Sequence, residues 1–206
     1  MVVNHIFAAR RISKISLIGF SWGTLITGGW CARRPDAVHR IAMFGASWGV
    51  SPQAKLATAY GYMTWTLEEG LQRMQTGIPS DRRDEIFPPA WRQLWSEALL
   101  ESDPRAREFE PPLMHTPTGV LADFQEQTAT GRPIYDPAEI KAPILLIRGA
   151  WDEATNRSSV LELFDRLLNA EKRQYVELAN GTHFMHIEKH RLSLFSAVHN
   201  FLSGDL

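Results

Sequence analysis

The sequence of 206 residues contains a single cysteine, Cys31, and no long apolar run. One cysteine can form neither an internal disulfide nor a cysteine-based metal site; it fits a reducing compartment and predicts a cytoplasmic location. No apolar stretch reaches the length of about 18 residues that a membrane-spanning helix needs. Residues 1–11 also lack the basic-then-apolar order of a signal peptide.

An excess of charge of either sign is also missing. The 22 basic and 23 acidic side chains leave a formal net charge of -1, so electrostatics give no reason to expect nucleic acid or an anionic membrane as a partner. The hydrophobic fraction of 44% and the charged fraction of 22% are ordinary for a globular protein. The length allows one domain, with or without an insertion.

Short apolar runs alternate with helical patterns at both ends of the chain. Buried strands are predicted at 14–21, 40–47 and 142–149, and a fourth strand at 173–179. Helices are predicted at 2–11, 23–34, 155–169 and 187–202. This alternation predicts an α/β fold, with a parallel sheet of about four strands flanked by helices and right-handed crossovers.

The middle of the chain, residues 48–138, has a different character. It is rich in proline and tryptophan, shows helical patterns at 52–75, 89–102 and 116–129, and has no strand run of the earlier kind. We therefore predict a core formed by residues 1–47 and 139–206, with a helical cap or lid inserted between the two parts.

The segment Gly19-Phe-Ser-Trp-Gly23 matches the G-x-S-x-G pattern between a predicted strand and a predicted helix. Such a turn is tight, and we expect both glycines to avoid a Cβ clash where the strand and the helix meet. Ser21 then sits in a strained conformation with its Oγ exposed. The backbone N–H of Trp22, at the helix N-terminus, is expected to face a developing oxyanion.

A serine hydroxyl is a weak nucleophile unless a base, itself held by a third group, activates it. Asp152 follows the third predicted strand and His183 follows the fourth, so both lie at the carboxyl edge of the sheet, where α/β proteins place their sites. Glu153 stays open as an alternative acid. His186 is a weaker candidate base, and a metal pair of His183 with His186 has no third ligand nearby.

Three segments together carry a resemblance: Gly-Phe-Ser-Trp-Gly, Arg-Gly-Ala-Trp-Asp and Asn-Gly-Thr-His-Phe. In sequence and order they resemble the α/β-hydrolase superfamily, in the branch with a helical cap that includes carboxylesterases and proline iminopeptidases. The resemblance implies that Ser21 is the nucleophile, His183 the general base and Asp152 the group that orients it. It also implies a small-molecule substrate and requires no cofactor or metal.

Aromatic residues near these segments are candidates for substrate contact. Phe20 and Trp22 adjoin the nucleophile, Trp48 follows the second strand, and Phe184 follows the histidine. We predict that Phe20, Trp48 and Phe184 contact substrate. For the aromatic residues of the middle segment, packing is the more frequent role; these are Trp65, Trp91 and Trp95.

Few residues precede the first predicted strand. A complete member of the superfamily has further strands there, and the loop after the third of them supplies a second oxyanion N–H. We therefore expect a truncated fold in which residues 15–20 form an exposed sheet edge. Because an unpaired apolar edge invites pairing with another chain, we predict a homo-oligomer that covers it.

The leading hypothesis for function is hydrolysis of short-chain or activated carboxylic esters through an acyl-enzyme on Ser21. A proline iminopeptidase-like aminopeptidase is the nearest alternative and would use acidic residues of the middle segment, with Glu68, Glu69 and Glu97 as candidates. A non-catalytic truncated hydrolase that acts as a binding or assembly module is a third reading.

Overall fold

The computed structural model describes residues 2–49 and 61–204. In the first part and at the C-terminal end the elements alternate: α1 (Val2–Arg10), β1 (Ile15–Phe20), α2 (Gly23–Arg33), β2 (Val38–Phe44), then β5 (Ile144–Gly149), α7 (Arg157–Arg166), β6 (Arg173–Leu178) and α8 (Arg191–Ser203). Between them lie β3 (Tyr62–Thr66), α3 (Leu67–Met74), α4 (Arg83–Ile86), α5 (Pro89–Ser102), β4 (Leu113–Pro117) and α6 (Gly119–Thr130).

Four parallel strands form the main sheet in the order β1-β2-β5-β6. Phe20 pairs with Phe44 and Phe44 pairs with Ile147, so the carboxyl ends of neighbouring strands lie side by side. The α/β fold predicted from the sequence, with its four strands, is confirmed. This alignment brings the loops after β1, β5 and β6 to one edge of the sheet.

All six residues of β5 are buried, and alternate side chains enter two different cores. Ile144 and Leu146 join the cluster that includes Leu25 of α2 and Leu163 of α7. Leu145 and Ile147 pack on the opposite face, in the cluster that holds Phe44 and, from α8, Leu194 and Phe201. A strand covered on both faces needs a continuous apolar run, which is why its sequence shows no alternation.

The middle of the chain is not purely helical. β3 and β4 form an antiparallel pair, with Trp65 opposite Met114, where the sequence predicted helix over 52–75 and no strand. That prediction was wrong for residues 62–66, and residues 52–60 of it lie outside the described part. The two strands are short and lie far apart in sequence, so neither segment alone shows the pairing. The division of the chain at 47/48 and 138/139 remains a prediction.

Helix α3 begins directly after β3 because Thr66 and Glu69 form a capping box. The Thr66 side chain accepts the Glu69 N–H at 3.2 Å, and the Glu69 carboxylate accepts the Thr66 N–H at 2.7 Å. These bonds satisfy backbone donors that the first turn of a helix leaves without partners. They therefore fix the point at which the strand changes to a helix.

Strand β1 is an edge of the sheet, as the sequence predicted, and pairs with β2 alone. Its Ile18 side chain is 62% exposed, and α1, the helix before it, has no buried residue. Within the described chain, the backbone edge of β1 opposite β2 and the Ile18 side chain are thus open, whereas Leu17 and Phe20 pack against the cores. Among the described helices, none combines the length and apolar character needed to cross a membrane.

Candidate active site

The three predicted catalytic side chains meet in a continuous hydrogen-bonded chain. Ser21 follows β1, Asp152 follows β5 and His183 follows β6. His183 Nε2 lies 2.8 Å from Ser21 Oγ, and His183 Nδ1 lies 2.9 Å from Asp152 Oδ2. His183 and Asp152 are buried, whereas Ser21 is half-buried. This is the arrangement that turns a serine hydroxyl into a nucleophile.

Ser21 has a positive φ of 52°, a left-handed conformation that non-glycine residues rarely adopt. Gly19 makes this turn possible: a Cβ there would lie 2.8 Å from Thr27 Oγ1 and 3.1 Å from Thr24 Cα. Gly23 differs from the sequence prediction, because a Cβ at that position would meet nothing within 4 Å. The close approach of strand and helix therefore needs one glycine of the motif, not both.

Asp152 is held by its own loop as well as by His183. Its Oδ1 accepts the N–H groups of Ala154 at 2.9 Å and Thr155 at 2.8 Å, and its Oδ2 accepts the Thr155 hydroxyl at 2.6 Å. Burial raises the pKa of the Asp152 carboxyl, but the bonds from His183 and Thr155 outweigh burial and bring the pKa below its usual value. Asp152, not the exposed Glu153, contacts the histidine.

Two residues that the sequence analysis missed support His183. Gly45, at the end of β2, has a φ of 56°, and a Cβ on it would lie 2.9 Å from His183 Nδ1 and Cε1. The buried Glu188 accepts the Thr182 N–H at 3.2 Å and also bonds the Thr182 hydroxyl, which accepts the Phe184 N–H at 3.0 Å. Burial raises the pKa of the Glu188 carboxyl.

Trp22 is the residue before α2, next to Ser21. Within the described chain its backbone N–H donates no hydrogen bond, so it is free to bind an oxyanion. The indole Nε1 of Trp22 donates to Asp123 of α6 at 3.0 Å. This bond connects the nucleophile turn with a helix of the middle segment.

Comparison with known proteins agrees with this geometry. Residues 3–190 match the family described as alpha/beta hydrolase fold. The chain belongs to that family. No curated protein matches it.

Several solved structures share the fold of this hydrolase-fold chain. A meta-cleavage product hydrolase, CumD from Pseudomonas fluorescens IP01, matches with a TM-score of 0.63 and 17% identity over 99% of this chain and 70% of that one. The 2-hydroxy-6-oxo-6-phenylhexa-2,4-dienoate hydrolase from Rhodococcus sp. strain RHA1 matches with a TM-score of 0.60 and 16% identity over 98% of this chain and 69% of that one. Est816, an N-acyl homoserine lactone degrading enzyme, matches with a TM-score of 0.61 and 17% identity over 99% of this chain and 72% of that one. At these identities the likeness shows the fold.

A cavity of about 640 Å³ lies between the triad loops and the middle segment of this hydrolase-fold chain. Phe20, Phe184 and His186 line it on the core side. On the other side it is lined mainly by apolar and aromatic residues, among them Met63, Trp65, Met74, Trp95 and Leu99. The structure thus brings Phe20 and Phe184, the chain neighbours of Ser21 and His183, to one cavity together with Trp65 and Trp95.

Trp48 lies elsewhere. Its ring packs against the core cluster on the α2 and α7 side, and the Arg166 guanidinium stands 5.1 Å from the ring centroid. It is not among the residues that line the cavity, so the prediction that Trp48 contacts substrate finds no support. The chain turns toward α7 after β2, and position in the sequence could not show that direction.

His186 is the second histidine beside the triad. Its ring centroid lies 4.6 Å from that of Phe20, and burial, followed by the nearby His183, lowers its pKa. The His186 imidazole is therefore held neutral near pH 7 and makes no contact with Ser21 that would compete with His183. Within the residues that the structure describes, no group of three or more His, Cys, Asp or Glu side chains is arranged to hold a metal ion.

Proposed function

We propose that this protein is a serine hydrolase that cleaves short-chain or activated carboxylic esters through an acyl-enzyme on Ser21. The observation that carries the proposal is the chain of hydrogen bonds from Ser21 Oγ to His183 and on to Asp152, at 2.8 and 2.9 Å, with Ser21 in a left-handed conformation. Membership of the alpha/beta hydrolase family supports the same chemistry.

In this proposal Ser21 Oγ attacks the ester carbonyl carbon while His183 Nε2 takes the hydroxyl proton. The same nitrogen then gives the proton to the leaving alcohol, and the acyl group stays on Ser21. Water attacks the acyl-enzyme in the second half of the cycle, with His183 again as the base. Asp152 stabilises the imidazolium that forms twice in each turnover.

The Trp22 N–H supplies one oxyanion donor in the proposal. Removing one donor from a two-donor oxyanion hole lowers kcat by about 10²–10³-fold, so each donor supplies a large part of the stabilisation of the tetrahedral intermediate. We expect esters with a good leaving group, which need less of this stabilisation, to be the better substrates.

A fluorophosphonate probe and p-nitrophenyl acetate test the proposal. Parent protein should be labelled at Ser21 and should hydrolyse the ester, whereas Ser21→Ala should lose both properties. Ser196→Ala, at an exposed position of α8, is the control and should behave as the parent. Full ester hydrolysis by Ser21→Ala would disprove the mechanism. A folded parent that does not react with the probe would favour the non-catalytic binding module.

The cavity lined by Phe20 and Phe184, the chain neighbours of Ser21 and His183, supports an apolar acyl or alcohol group as one part of the substrate. Trp95 lines it and stacks on Trp65 with ring centroids 6.4 Å apart. Trp91, one turn earlier on α5, packs against the same buried cluster as Trp95 but does not line the cavity, and the Arg191 guanidinium lies 4.5 Å from its ring centroid. The two tryptophans therefore provide a matched pair on one helix.

We expect Trp95→Ala to change the ratio of kcat/KM for p-nitrophenyl butyrate and acetate. Trp91→Ala should lower thermal stability and leave that ratio as it is in the parent. Equal ratios in the parent and both variants would show that the apolar group does not occupy this cavity.

The aminopeptidase alternative has less support. Glu69 is the candidate carboxylate that lines the cavity, but it is occupied in the capping box with Thr66, and those bonds hold its pKa below the usual value. A carboxylate that is committed to a helix cap is a poor partner for a substrate amine. Comparing proline p-nitroanilide with p-nitrophenyl acetate separates the two activities, and a preference for the anilide would reverse the assignment.

We propose further that a second copy of the chain covers the β1 edge. The support is the one-sided pairing of β1 and the 62% exposure of Ile18. Light scattering at micromolar concentration should give the mass of a dimer or larger oligomer, and Ile18→Lys should give a monomer. Leu168→Lys, at a position 73% exposed just after α7, is the control; a monomeric parent would end this proposal. The cytoplasmic location stays a prediction.

A further inference from the structure

One buried cation, Arg148, donates hydrogen bonds to the backbone of the loop that carries Asp152. This residue is the fifth of the six in β5 and is 7% exposed. Its guanidinium donates to three backbone carbonyls of the loop that follows: to Asp152 O at 2.5 Å, to Thr155 O at 3.0 Å and to Ala150 O at 3.3 Å. A buried charge is costly unless it is well bonded, and the triad chemistry makes no use of this one.

The loop between β5 and α7 is therefore held from two sides. The Asp152 carboxylate accepts the N–H groups of Ala154 and Thr155 and the Thr155 hydroxyl. Arg148 binds the carbonyl groups that point the other way, including the carbonyl of Asp152 itself. With both the backbone and the side chain of Asp152 fixed, the direction of its Oδ2 toward His183 Nδ1 is fixed as well.

We propose that Arg148 is a positioning residue of the active site, which orients Asp152 toward His183 through the backbone of the loop between β5 and α7. This inference rests on the proposed triad mechanism. The planar guanidinium fork suits the task because its donors reach three carbonyls in a fixed geometry, whereas a lysine ammonium is a compact charge on a flexible stem.

Arg148 also contacts the carboxylate of Glu177 on β6, with Nη1 3.3 Å from Oε2. That carboxylate is shared with Arg157 and with the Tyr175 hydroxyl, and its side chain is 32% exposed. The ion pair shares Nη1 with the bond to Ala150 O, whereas the bonds to Thr155 O and Asp152 O use Nε and Nη2. Glu177→Gln weakens the pair and leaves the loop bonds in place, which makes it the matched control for changes at Arg148.

The test compares Arg148→Lys with Glu177→Gln and the parent in the full chain, with active sites titrated by the fluorophosphonate. We expect Arg148→Lys to lower kcat on p-nitrophenyl acetate by about 10- to 100-fold, because a displacement of about 1 Å in a catalytic group has effects of this size. KM should change little. Glu177→Gln should stay within about twofold of the parent, since a partly exposed ion pair contributes little.

Two measurements separate positioning from a general loss of stability. The acid limb of the kcat/KM profile reports protonation of the general base, and with Asp152 misaligned it should move to lower pH in Arg148→Lys. His186, the other titrating ring near His183, is the same in all variants. In proton NMR spectra, the downfield signal of the proton between His183 and Asp152 should weaken in Arg148→Lys and persist in Glu177→Gln.

An unmoved pH profile and an unchanged downfield signal in a folded Arg148→Lys would overturn the proposal. If that variant does not fold, the double variant Arg148→Met with Glu177→Gln removes both charges and leaves neither buried alone. A folded double variant with the parent profile would overturn it equally. The NMR signal needs no turnover, so a parent that shows the signal without ester hydrolysis would count against the proposed function and not against this inference.

Discussion

Replacing Gly45 with alanine tests whether the packing behind His183 is necessary for catalysis. Gly45 ends β2 in a left-handed conformation, with φ of 56°, and its N–H donates to Ile147 O at 3.0 Å. An added Cβ would lie 2.9 Å from His183 Nδ1 and Cε1, and 3.4 Å from Asp152 Oδ2. Non-bonded heavy atoms prefer about 3.5–4.0 Å, so the imidazole would have to retreat by about 0.6 Å or more.

The change has two separable consequences. An alanine in the left-handed region costs about 1–2 kcal/mol, which corresponds to a fall in Tm of about 2–8 °C for a chain of this size. The displaced imidazole disturbs the bonds to Ser21 and Asp152 together, for which we expect kcat to fall by about 10- to 100-fold. The loss of stability is expected at any glycine in a left-handed conformation, whereas the fall in kcat is expected at Gly45 because of its contact with His183.

Gly131 is the matched control, because it has a φ of 62° at the end of α6 and a Cβ there would meet nothing within 4 Å. Both alanine variants should melt at lower temperature than the parent. Only Gly45→Ala should lose kcat on p-nitrophenyl acetate and react slowly with the fluorophosphonate. If its kcat per active site equals that of Gly131→Ala, the contact with Gly45 does not control the position of His183.

Three further predictions follow from single positions. Gly19→Ala should impair folding and labelling because its Cβ would lie 2.8 Å from Thr27 Oγ1, while Gly23→Ala should resemble the parent in Tm and labelling; equal effects would contradict the asymmetry. The interactions that lower the pKa of Asp152 stabilise the fold above a pH of about 4, and this stabilisation is lost as the pH falls through the folded-state pKa. The Tm of Asp152→Asn should therefore depend less on pH in that range than the Tm of the parent. Parallel curves of Tm against pH for the two proteins would refute the linkage. Burial raises the pKa of the Cys31 thiol to about 12, so a thiol reagent at pH 8 should modify it only after unfolding, and rapid labelling of native protein would contradict its burial.

The positions of the triad residues could be predicted from the sequence because local residue patterns indicate where strands begin and end. Continuous apolar runs such as residues 144–147 identify buried parallel strands, and the carboxyl ends of such strands share one edge of the sheet. Ser21 and Asp152 each follow a run of this kind, whereas His183 follows the more exposed strand Arg173–Leu178. The motif around Ser21 then predicts a nucleophile, and the chain order of Asp152 and His183 after it is the order that the α/β-hydrolase fold predicts.

The remaining features depend on contacts between segments that are distant in the chain. The pairing of β3 with β4 joins residues 62–66 to 113–117, and neither run alone is long enough to indicate a strand. Trp48 follows a strand just as Asp152 does, yet the chain turns it toward Arg166 and away from the cavity. Sequence position predicts the edge of the sheet a residue lies on, but not the direction of its side chain.

The residues that the sequence analysis missed share a physical role. Gly45 leaves room for His183, Arg148 binds the backbone of the loop between β5 and α7, and Glu188 binds the loop before the histidine. Each is defined by the atoms that it contacts and not by a local motif. Since a triad works only within tenths of an ångström, the precision of the site depends on these three positions as much as on the three catalytic side chains. An intact set of catalytic residues is therefore a sufficient indication of activity only together with an intact set of the residues that pack around them.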